Sequence, residues 1–170
     1  EFSDIRENVG IKFQPFKYSE IALEDFEWYS VYEKLYFNVV QWREIILKAA
    51  ETKDVWLDIF DSYGIEILKN NLDIIHGVKF QTSVLDNQSV MEKFMDLNLN
   101  GKKLIINIAS REIEDIKNKI KFFEKKNELE EILLEVGFQA YPTELIDSGI
   151  SKLKTLKSLF SNKIVFADHI

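Results

Sequence analysis

One five-residue phrase occurs twice in this chain, as GIKFQ at residues 10–14 and as GVKFQ at residues 77–81. Each copy is a short apolar run that predicts a β-strand, and each places one lysine, Lys12 or Lys79, within that strand. A buried ammonium group is unfavourable unless an anion meets it. Two such lysines on one sheet would therefore form a binding site for phosphate or carboxylate. Alternatively, each lysine side chain extends past its strand end into solvent.

The overall charge excludes some partners. The formal net charge is −7 and the isoelectric point is near 5.0, whereas general binding to nucleic acid or to an anionic membrane needs a basic surface. We therefore expect neither nucleic acid nor membrane as a partner, and any anion site must be local. No apolar run approaches the roughly 18 residues of a membrane span, and the first residues lack the basic start of a signal peptide.

The content of cysteine and histidine limits the metal chemistry. The chain has no cysteine, which excludes disulfides and thiolate metal sites and agrees with a reducing compartment. The two histidines, His76 and His169, are too few for an all-imidazole metal site within one chain. The cytoplasm is the expected location.

Hydrophobic periodicity predicts strands and helices in alternation. The predicted strands are residues 9–14, 54–61, 74–81, 103–108, 132–138 and 163–169. Helices are predicted at residues 39–50, 65–70, 90–97, 110–126 and 150–160, and residues 18–37 form an aromatic, acidic excursion that packs over the domain. This alternation is typical of α/β proteins with a parallel sheet.

Two parallel architectures fit this pattern: an open doubly wound sheet and part of an eight-stranded β/α barrel. Polar residues lie in or just after successive strands, namely Lys12, Gln14, Asp58, Asp61, Lys79, Gln81, Asn107, Gln139, Tyr141, Asp168 and His169. The ends of barrel strands meet at one mouth, where barrel enzymes do their chemistry, so these residues favour the barrel. No glycine-rich phosphate-binding loop follows any strand, which weakens the nucleotide-binding alternative.

Six short motifs in order resemble the barrel domain of the sialic acid synthase family, which includes N-acetylneuraminate synthases and spore-coat polysaccharide synthases. The motifs are Lys-Phe-Gln, Phe-Asp, Val-Lys-Phe, Lys-Lys-Leu-Ile-Ile-Asn, Ala-Tyr-Pro-Thr and Ala-Asp-His. The similarity covers residues 10–170. It implies a TIM-type barrel of which this chain holds about six of the eight β/α units. The expected organisation is one such domain over residues 1–170, divergent and truncated, without the first and last strands and the C-terminal antifreeze-like domain.

The resemblance implies a transferase reaction in carbohydrate biosynthesis, the condensation of phosphoenolpyruvate with an N-acetylated amino sugar such as N-acetylmannosamine. By position, Lys12 and Lys79 would bind the phosphate or carboxylate of phosphoenolpyruvate, and Tyr141 would help to hold the phosphate. The remaining substrate-binding positions would be Gln14, Asn107 and Asp168. The resemblance also implies a divalent metal, usually manganese, with His169 as a ligand.

Several positions depart from the family pattern. Val136 stands where the family has the histidine taken as the second metal ligand, and valine cannot bind a metal. Asp58 stands where a hydroxyl beside the phosphate is expected, and its charge would repel that phosphate. Residues 82–84 lack an acidic group that would face the sugar. Asn107 replaces a serine but could still donate a hydrogen bond to phosphate.

Three interpretations follow for function. The chain is an active phosphoenolpyruvate-condensing synthase, a non-catalytic relative that binds a phosphorylated ligand or acts as a partner subunit, or an unrelated protein with chance matches. The open edges of a six-stranded barrel favour association, either as a homo-oligomer or with another chain.

Overall fold

The computed structural model describes residues 9–126, 128–137 and 142–168. The strands are β1 (Gly10–Phe13), β2 (Asp54–Ile59), β3 (Gly77–Phe80), β4 (Lys103–Asn107), β5 (Glu131–Val136) and β6 (Ile164–Phe166). The helices are α1 (Tyr18–Ile21), α2 (Tyr29–Lys34), α3 (Val39–Ala50), α4 (Ser62–Lys69), α5 (Gln88–Met95), α6 (Ile113–Glu124) and α7 (Leu153–Leu159), with short 3-10 turns at Val84–Asp86 and Ile150–Lys152.

The order of the strands decides between the two predicted architectures. All six strands are parallel and lie in one sheet in the order β1-β2-β3-β4-β5-β6. A doubly wound sheet reverses its strand order at a switch point, whereas a barrel adds each strand beside the previous one. Right-handed crossovers then place the helices on one face of the sheet. The fold is an α/β half-barrel in which six strands curl around an inner face.

The helix-covered face of the sheet carries the hydrophobic core. Leu57, Phe80, Leu104 and Leu134 alternate with inward-facing residues along β2 to β5, and all four are fully buried. Burial of each such side chain stabilises the fold by about 1.5–3 kcal/mol. Helices α5 and α6 close this core with Phe94 and Phe123, whose rings pack 4.8 Å and 6.0 Å from the Phe80 ring.

Helix caps explain where several elements begin. The predicted bounds of α3 agree with the structure, and Asn38 and Gln41 form a capping box at its start. Strand β2 ends at Ile59, two residues before the predicted end, because Asp61 caps α4 and accepts a 2.7 Å hydrogen bond from the Gly64 amide. Asn87 caps α5, within the predicted capping segment.

The excursion between β1 and α3 packs through its aromatic rings, as predicted. Tyr18 contacts Tyr29 edge-on at 5.4 Å, and Tyr36 contacts Tyr63 of α4 at the same distance. Tyr63 also donates a 2.6 Å hydrogen bond to the Phe37 carbonyl. These contacts attach residues 18–37 to the helix layer. In the part of the chain that is described, no helix combines the length and apolar character needed to cross a membrane.

Candidate functional site

The two copies of the repeated phrase lie on either side of β2. Strand β1 pairs with one edge of β2 and β3 with the other, in registers that differ by two residues: Lys12 is opposite Trp56, whereas Lys79 is opposite Asp58. On the inner face of the half-barrel the target of both copies is nevertheless Asp58, which is completely buried. The two copies of the repeat therefore contact one carboxylate from unequal positions.

Both repeated lysines reach that carboxylate. The Nζ atom of Lys12 lies 2.8 Å from Asp58 Oδ2, and the Nζ atom of Lys79 lies 3.8 Å from the same oxygen. Lys79 has a closer partner in Glu135, whose Oε2 lies 2.6 Å away. The structure thus brings the two predicted lysines to one site, and two carboxylates accompany them.

Amide side chains complete the group. Gln81 donates a 3.0 Å hydrogen bond to Asp58 Oδ2, and Gln14 makes a longer contact of 3.5 Å with the same atom. Asn107 donates a 2.7 Å hydrogen bond to Glu135 Oε2, and its Oδ1 accepts one from the Ala109 amide. We call the following residues the inner-face cluster: Lys12, Gln14, Asp58, Lys79, Gln81, Asn107 and Glu135.

The indole of Trp56 packs beneath the cluster. It lies between the two repeated glycines, and a Cβ atom at Gly10 would lie 3.1 Å from the indole Cδ1. A Cβ atom at Gly77 would overlap the six-membered ring of the indole. Glycine is required at residue 77 because the ring occupies the space that any side chain would need.

The cluster is electrically balanced within itself. Its two ammonium groups face two carboxylates, so it presents no excess positive charge to a ligand. The exposed fraction of the side chain is 37 % for Lys12 but only 4 % for Lys79, 0 % for Asp58 and 10 % for Glu135. Lys12 is therefore the charged member that borders solvent.

The two lysines differ in their ionisation. Burial lowers the pKa of Lys79 below its ordinary value, although the hydrogen bond to Glu135 opposes this. Burial acts in the same direction on Lys12, but the hydrogen bond and charge of Asp58 outweigh it and raise the Lys12 pKa. The less buried lysine is thus the one held more firmly in its charged form.

Two acceptors of the cluster have no hydrogen-bond partner among the described residues: Oδ1 of Asp58 and Oε1 of Gln81. An ionised carboxylate can only accept, so Gln81 must turn its NH₂ group towards Asp58, and its carbonyl oxygen is left unpaired. A buried acceptor without a partner costs about 1–3 kcal/mol. Polar atoms of this kind are candidates for ligand contacts.

A family model matches residues 9–170 of this chain, nearly all of it. The chain belongs to the NeuB family. A relative from Methanocaldococcus jannaschii, an uncharacterized protein, is 24 % identical over 161 residues, which cover 94 % of this chain and 46 % of the relative.

Solved structures agree with the NeuB fold. The N-acetylneuraminic acid synthetase of Leptospira borgpetersenii superposes with a TM-score of 0.78 at 22 % identity, over 94 % of this chain and 54 % of that protein. Spore coat polysaccharide biosynthesis protein E of Chromobacterium violaceum gives 0.78 at 15 % identity, over 95 % and 48 %. The corresponding Bacillus subtilis protein gives 0.71 at 17 % identity, over 97 % and 46 %. This NeuB chain spans about half the length of these relatives.

The other three predicted site residues are not members of the inner-face cluster. Asp168 is exposed and follows the end of β6. Tyr141 and His169 lie outside the residues that the structure describes. The proposed roles of these three residues stay predictions.

Strand β5 carries Val136, the position at which the family resemblance implies a second metal ligand. Val136 is buried on the helix-covered face, whereas its neighbour Glu135 faces the inner cluster. Within the described ranges no group of three or more histidine, aspartate or glutamate residues could hold a metal ion. The described residues alone do not fit a manganese site, and we assign no reaction step to a metal.

The sequence pattern alone does not single out Glu135. It places Asp58 among the polar residues at the strand ends and, by the family resemblance, as a repulsive neighbour of phosphate. A signal for Glu135 exists in residues 131–136, where a glutamate interrupts an apolar run at an inward-facing position of the predicted strand. Such a residue is the natural counterion for a lysine that faces the same interior.

Proposed function

We propose that this NeuB-family chain takes part in a sialic acid synthase-like reaction, the condensation of phosphoenolpyruvate with an N-acetylated amino sugar in surface polysaccharide biosynthesis. A carbon–carbon bond would form between the methylene carbon of phosphoenolpyruvate and the aldehyde carbon of the sugar, and one water molecule would be consumed as the bond to the phosphate group breaks and inorganic phosphate is released. The reaction would take place in the cytoplasm.

The observation that carries this proposal is the inner-face cluster at the carboxyl ends of parallel strands in a NeuB half-barrel. Barrel enzymes place their substrate contacts at this carboxyl end of the strands. Lys12, Lys79 and Asn107, three of the residues predicted to bind phosphoenolpyruvate, all belong to the cluster. The site therefore combines cations for a substrate anion with amides and carboxylates for a sugar.

Each residue role is part of the proposal. Lys12 is the ammonium group that solvent can reach, so phosphoenolpyruvate would compete with Asp58 for it. Lys79 would contribute a second ammonium group, which forms an ion pair with Glu135 when no substrate is bound. Gln14 would line the pocket, Tyr141 would help to hold the phosphate, and Asp168 would contact substrate. The predicted manganese ligand, His169, lies outside the described residues and carries no step of this proposal.

A second candidate function is a non-catalytic relative that binds its ligand or serves as a partner subunit. One observation favours it: each ammonium group already has an internal carboxylate within 2.8 Å. A substrate anion must displace such a partner, and this weakens binding relative to an unpaired pair of lysines. Pairing with another chain, or with a second copy, would complete the site in this case.

Product formation separates the two candidates. The chain would be incubated with phosphoenolpyruvate and N-acetylmannosamine, with and without manganese, and the sugar acid and released phosphate would be measured together. The condensation predicts both products in equal amounts, and their loss in Lys12→Ala. Binding of N-acetylmannosamine without either product would reject the condensation and support the non-catalytic candidate. A matched control is Lys163→Ala, which removes the ion pair between the exposed Lys163, next to β6, and Glu131, outside the cluster.

A further inference from the structure

Arg111 connects the two segments that follow β3 and β4. It lies between β4 and α6, and its side chain is only 10 % exposed. The five N–H donors of its guanidinium group make five hydrogen bonds, to the hydroxyl and carbonyl oxygens of Thr82 and to the carboxylates of Asp86 and Asp115. Four of these bonds go to Thr82 and Asp86, which lie between β3 and α5. We call this set of contacts the Arg111 bridge.

A chain of hydrogen bonds leads from the Arg111 bridge to the inner-face cluster. Thr82 Oγ1 accepts from Arg111 Nε at 2.9 Å and donates to the Ala109 carbonyl at 3.0 Å. The Ala109 amide in turn donates to Asn107 Oδ1 at 3.0 Å. Because its Oδ1 is held in this way, the Asn107 side chain directs its NH₂ group towards Glu135, 2.7 Å away. The orientation of Asn107 therefore depends on the segment that Arg111 holds.

The β3 side of the bridge leads to the cluster as well. Thr82 directly follows Gln81, whose NH₂ group donates a 3.0 Å hydrogen bond to Asp58. The two amide side chains that bind the buried carboxylates, Gln81 and Asn107, thus lie one and two residues before groups that the bridge fixes in place. A shift of either segment would move one of these amides away from its carboxylate.

The backbone at Ser110 is consistent with a placed arginine. Its φ of 63° is in the left-handed region, which is uncommon for a residue with a Cβ atom. The turn is closed by a 3.2 Å hydrogen bond from the Arg111 amide to the Ile108 carbonyl. Conformations of this kind persist where the surrounding contacts hold them, and they are frequent at functional sites. The turn places Arg111 beside the segment that follows β3.

We propose that Arg111 is a positioning residue of the candidate site, which holds the segments after β3 and β4 together and thereby fixes the side-chain amides of Gln81 and Asn107. Since all five of its donors are used within the protein and two carboxylates neutralise its charge, the guanidinium group acts through these amides and not as a substrate contact. The inference rests on the proposed function only for its effect on the reaction.

Nuclear magnetic resonance of the side-chain NH₂ groups tests the bridge without any substrate. In Arg111→Ala we expect the NH₂ resonances of Gln81 and Asn107 to shift. The resonance of Asn162, which donates to the Ile132 carbonyl at the opposite end of β5, should stay in place. Arg111 lines two open pockets of about 400 Å³ and 540 Å³, through which added guanidinium ion can reach the vacated position. Guanidinium should restore both resonances in Arg111→Ala and leave the wild-type spectrum unchanged.

Two further variants separate positioning from a general loss of stability. Arg43→Ala is the matched control, because Arg43 forms a similar two-bond pair with Asp73 away from the cluster. It should leave the Gln81 and Asn107 resonances unshifted. Arg111→Lys keeps the positive charge, but one ammonium group cannot reproduce the planar fork, so we expect the same two resonances to shift. This variant decides the question if Arg111→Ala does not fold.

Three results would overturn the inference. The first is wild-type positions of the Gln81 and Asn107 resonances in a folded Arg111 variant. The second is an equal shift of both resonances in Arg43→Ala, and the third is a folded Arg111→Ala protein in which guanidinium restores neither resonance.

Product measurements distinguish this inference from the proposed function. If the wild type forms sugar acid, we expect Arg111→Ala to lower its rate of formation at least about tenfold and guanidinium to restore it. Absence of product from the wild type, with the resonances shifted and restored as expected, would reject the condensation and leave the positioning role of Arg111 intact. Product formation at the wild-type rate by both Arg111 variants, with unshifted resonances, would reject this inference alone.

Discussion

The ammonium group of Lys79 lies 2.6 Å from Oε2 of Glu135, although β4 separates the strands that carry them. In the sheet, β3 and β5 lie two strand spacings of about 4.8 Å apart, and the long lysine and glutamate side chains together span that gap. This ion pair therefore connects β3 to β5 across the inner face of the half-barrel.

Loss of Lys79 should destabilise the fold strongly. In Lys79→Met, Glu135 and Asp58 stay buried while one of their counterions is gone, and we expect the free energy of unfolding to fall by about 3–5 kcal/mol. Lys12→Met should cost about 1–2 kcal/mol, because Lys12 is partly exposed and Asp58 keeps Lys79 nearby. Urea denaturation measures both.

The double variant Lys79→Met with Glu135→Leu serves as the companion experiment. Since it removes both charges of the pair, we expect it to regain most of the lost stability. Lys163→Met, which removes a 71 % exposed lysine, is the control and should change stability by less than about 0.5 kcal/mol. Equal effects of the Lys79 and Lys163 substitutions would contradict the burial of the cluster.

The two repeated glycines should respond differently to alanine. Gly77→Ala places a methyl group inside the Trp56 indole, so we expect a loss of about 2–3 kcal/mol and a shift of tryptophan fluorescence. Gly10→Ala meets the same indole at 3.1 Å, and we expect a loss of about 1 kcal/mol or less. Thermal and urea unfolding report the difference.

The background variant Trp56→Leu isolates the cause. There the methyl group at residue 77 no longer meets an indole, and Gly77→Ala should lose most of its effect. If Gly77→Ala is as harmful without the indole as with it, the contact is not the reason for the glycine.

Acid should weaken the ion pairs at the carboxyl end of the half-barrel. Hydrogen bonds from Arg111 and Lys119 lower the pKa of Asp86 to about 2. A lowered carboxyl pKa stabilises the fold above the ordinary value of 3.8 and loses that contribution as pH falls towards about 2. Because Asp86 is 64 % exposed, we expect its contribution to stay below about 1 kcal/mol.

Comparison with Asp86→Asn checks this pH dependence. The wild type should be the more stable protein at pH 7, and the difference should vanish near pH 2 in urea unfolding experiments. Glu114→Gln removes an exposed pair with Lys117 at 3.3 Å and should show a smaller difference at pH 7. A difference for Asp86→Asn that persists at pH 2 would contradict the assigned partners.

Much of the fold follows from local patterns in the sequence. The apolar spacing of residues 39–50 predicts α3 with its observed bounds, because a helix of this length is specified by its own periodicity and its cap. The predicted strands extend two residues past the observed end of β2 and one residue past the observed end of β3. Asp61 caps α4 instead of pairing in the sheet, and the side chain of Gln81 binds Asp58.

The site is predictable only in part. The repeated phrase indicates that Lys12 and Lys79 act together, because nearly identical local sequences on parallel strands place their lysines on the same face of the sheet. In the chain, Asp58 lies 46 residues after Lys12, and Glu135 lies 56 residues after Lys79. Such pairs depend on strand register and sheet curvature, which no local pattern encodes.

Titration of the lysine side chains by nuclear magnetic resonance, in the wild type and in Asp58→Asn, tests the shared carboxylate most directly. In the wild type, Lys12 should titrate above 10.5 and Lys79 below it. Because the Asp58 charge raises the pKa of both lysines, we expect Asp58→Asn to lower the two values together, while the control Asp61→Asn changes neither. A fall at only one lysine, or at neither, would contradict the enclosure of Asp58 by both copies of the repeat.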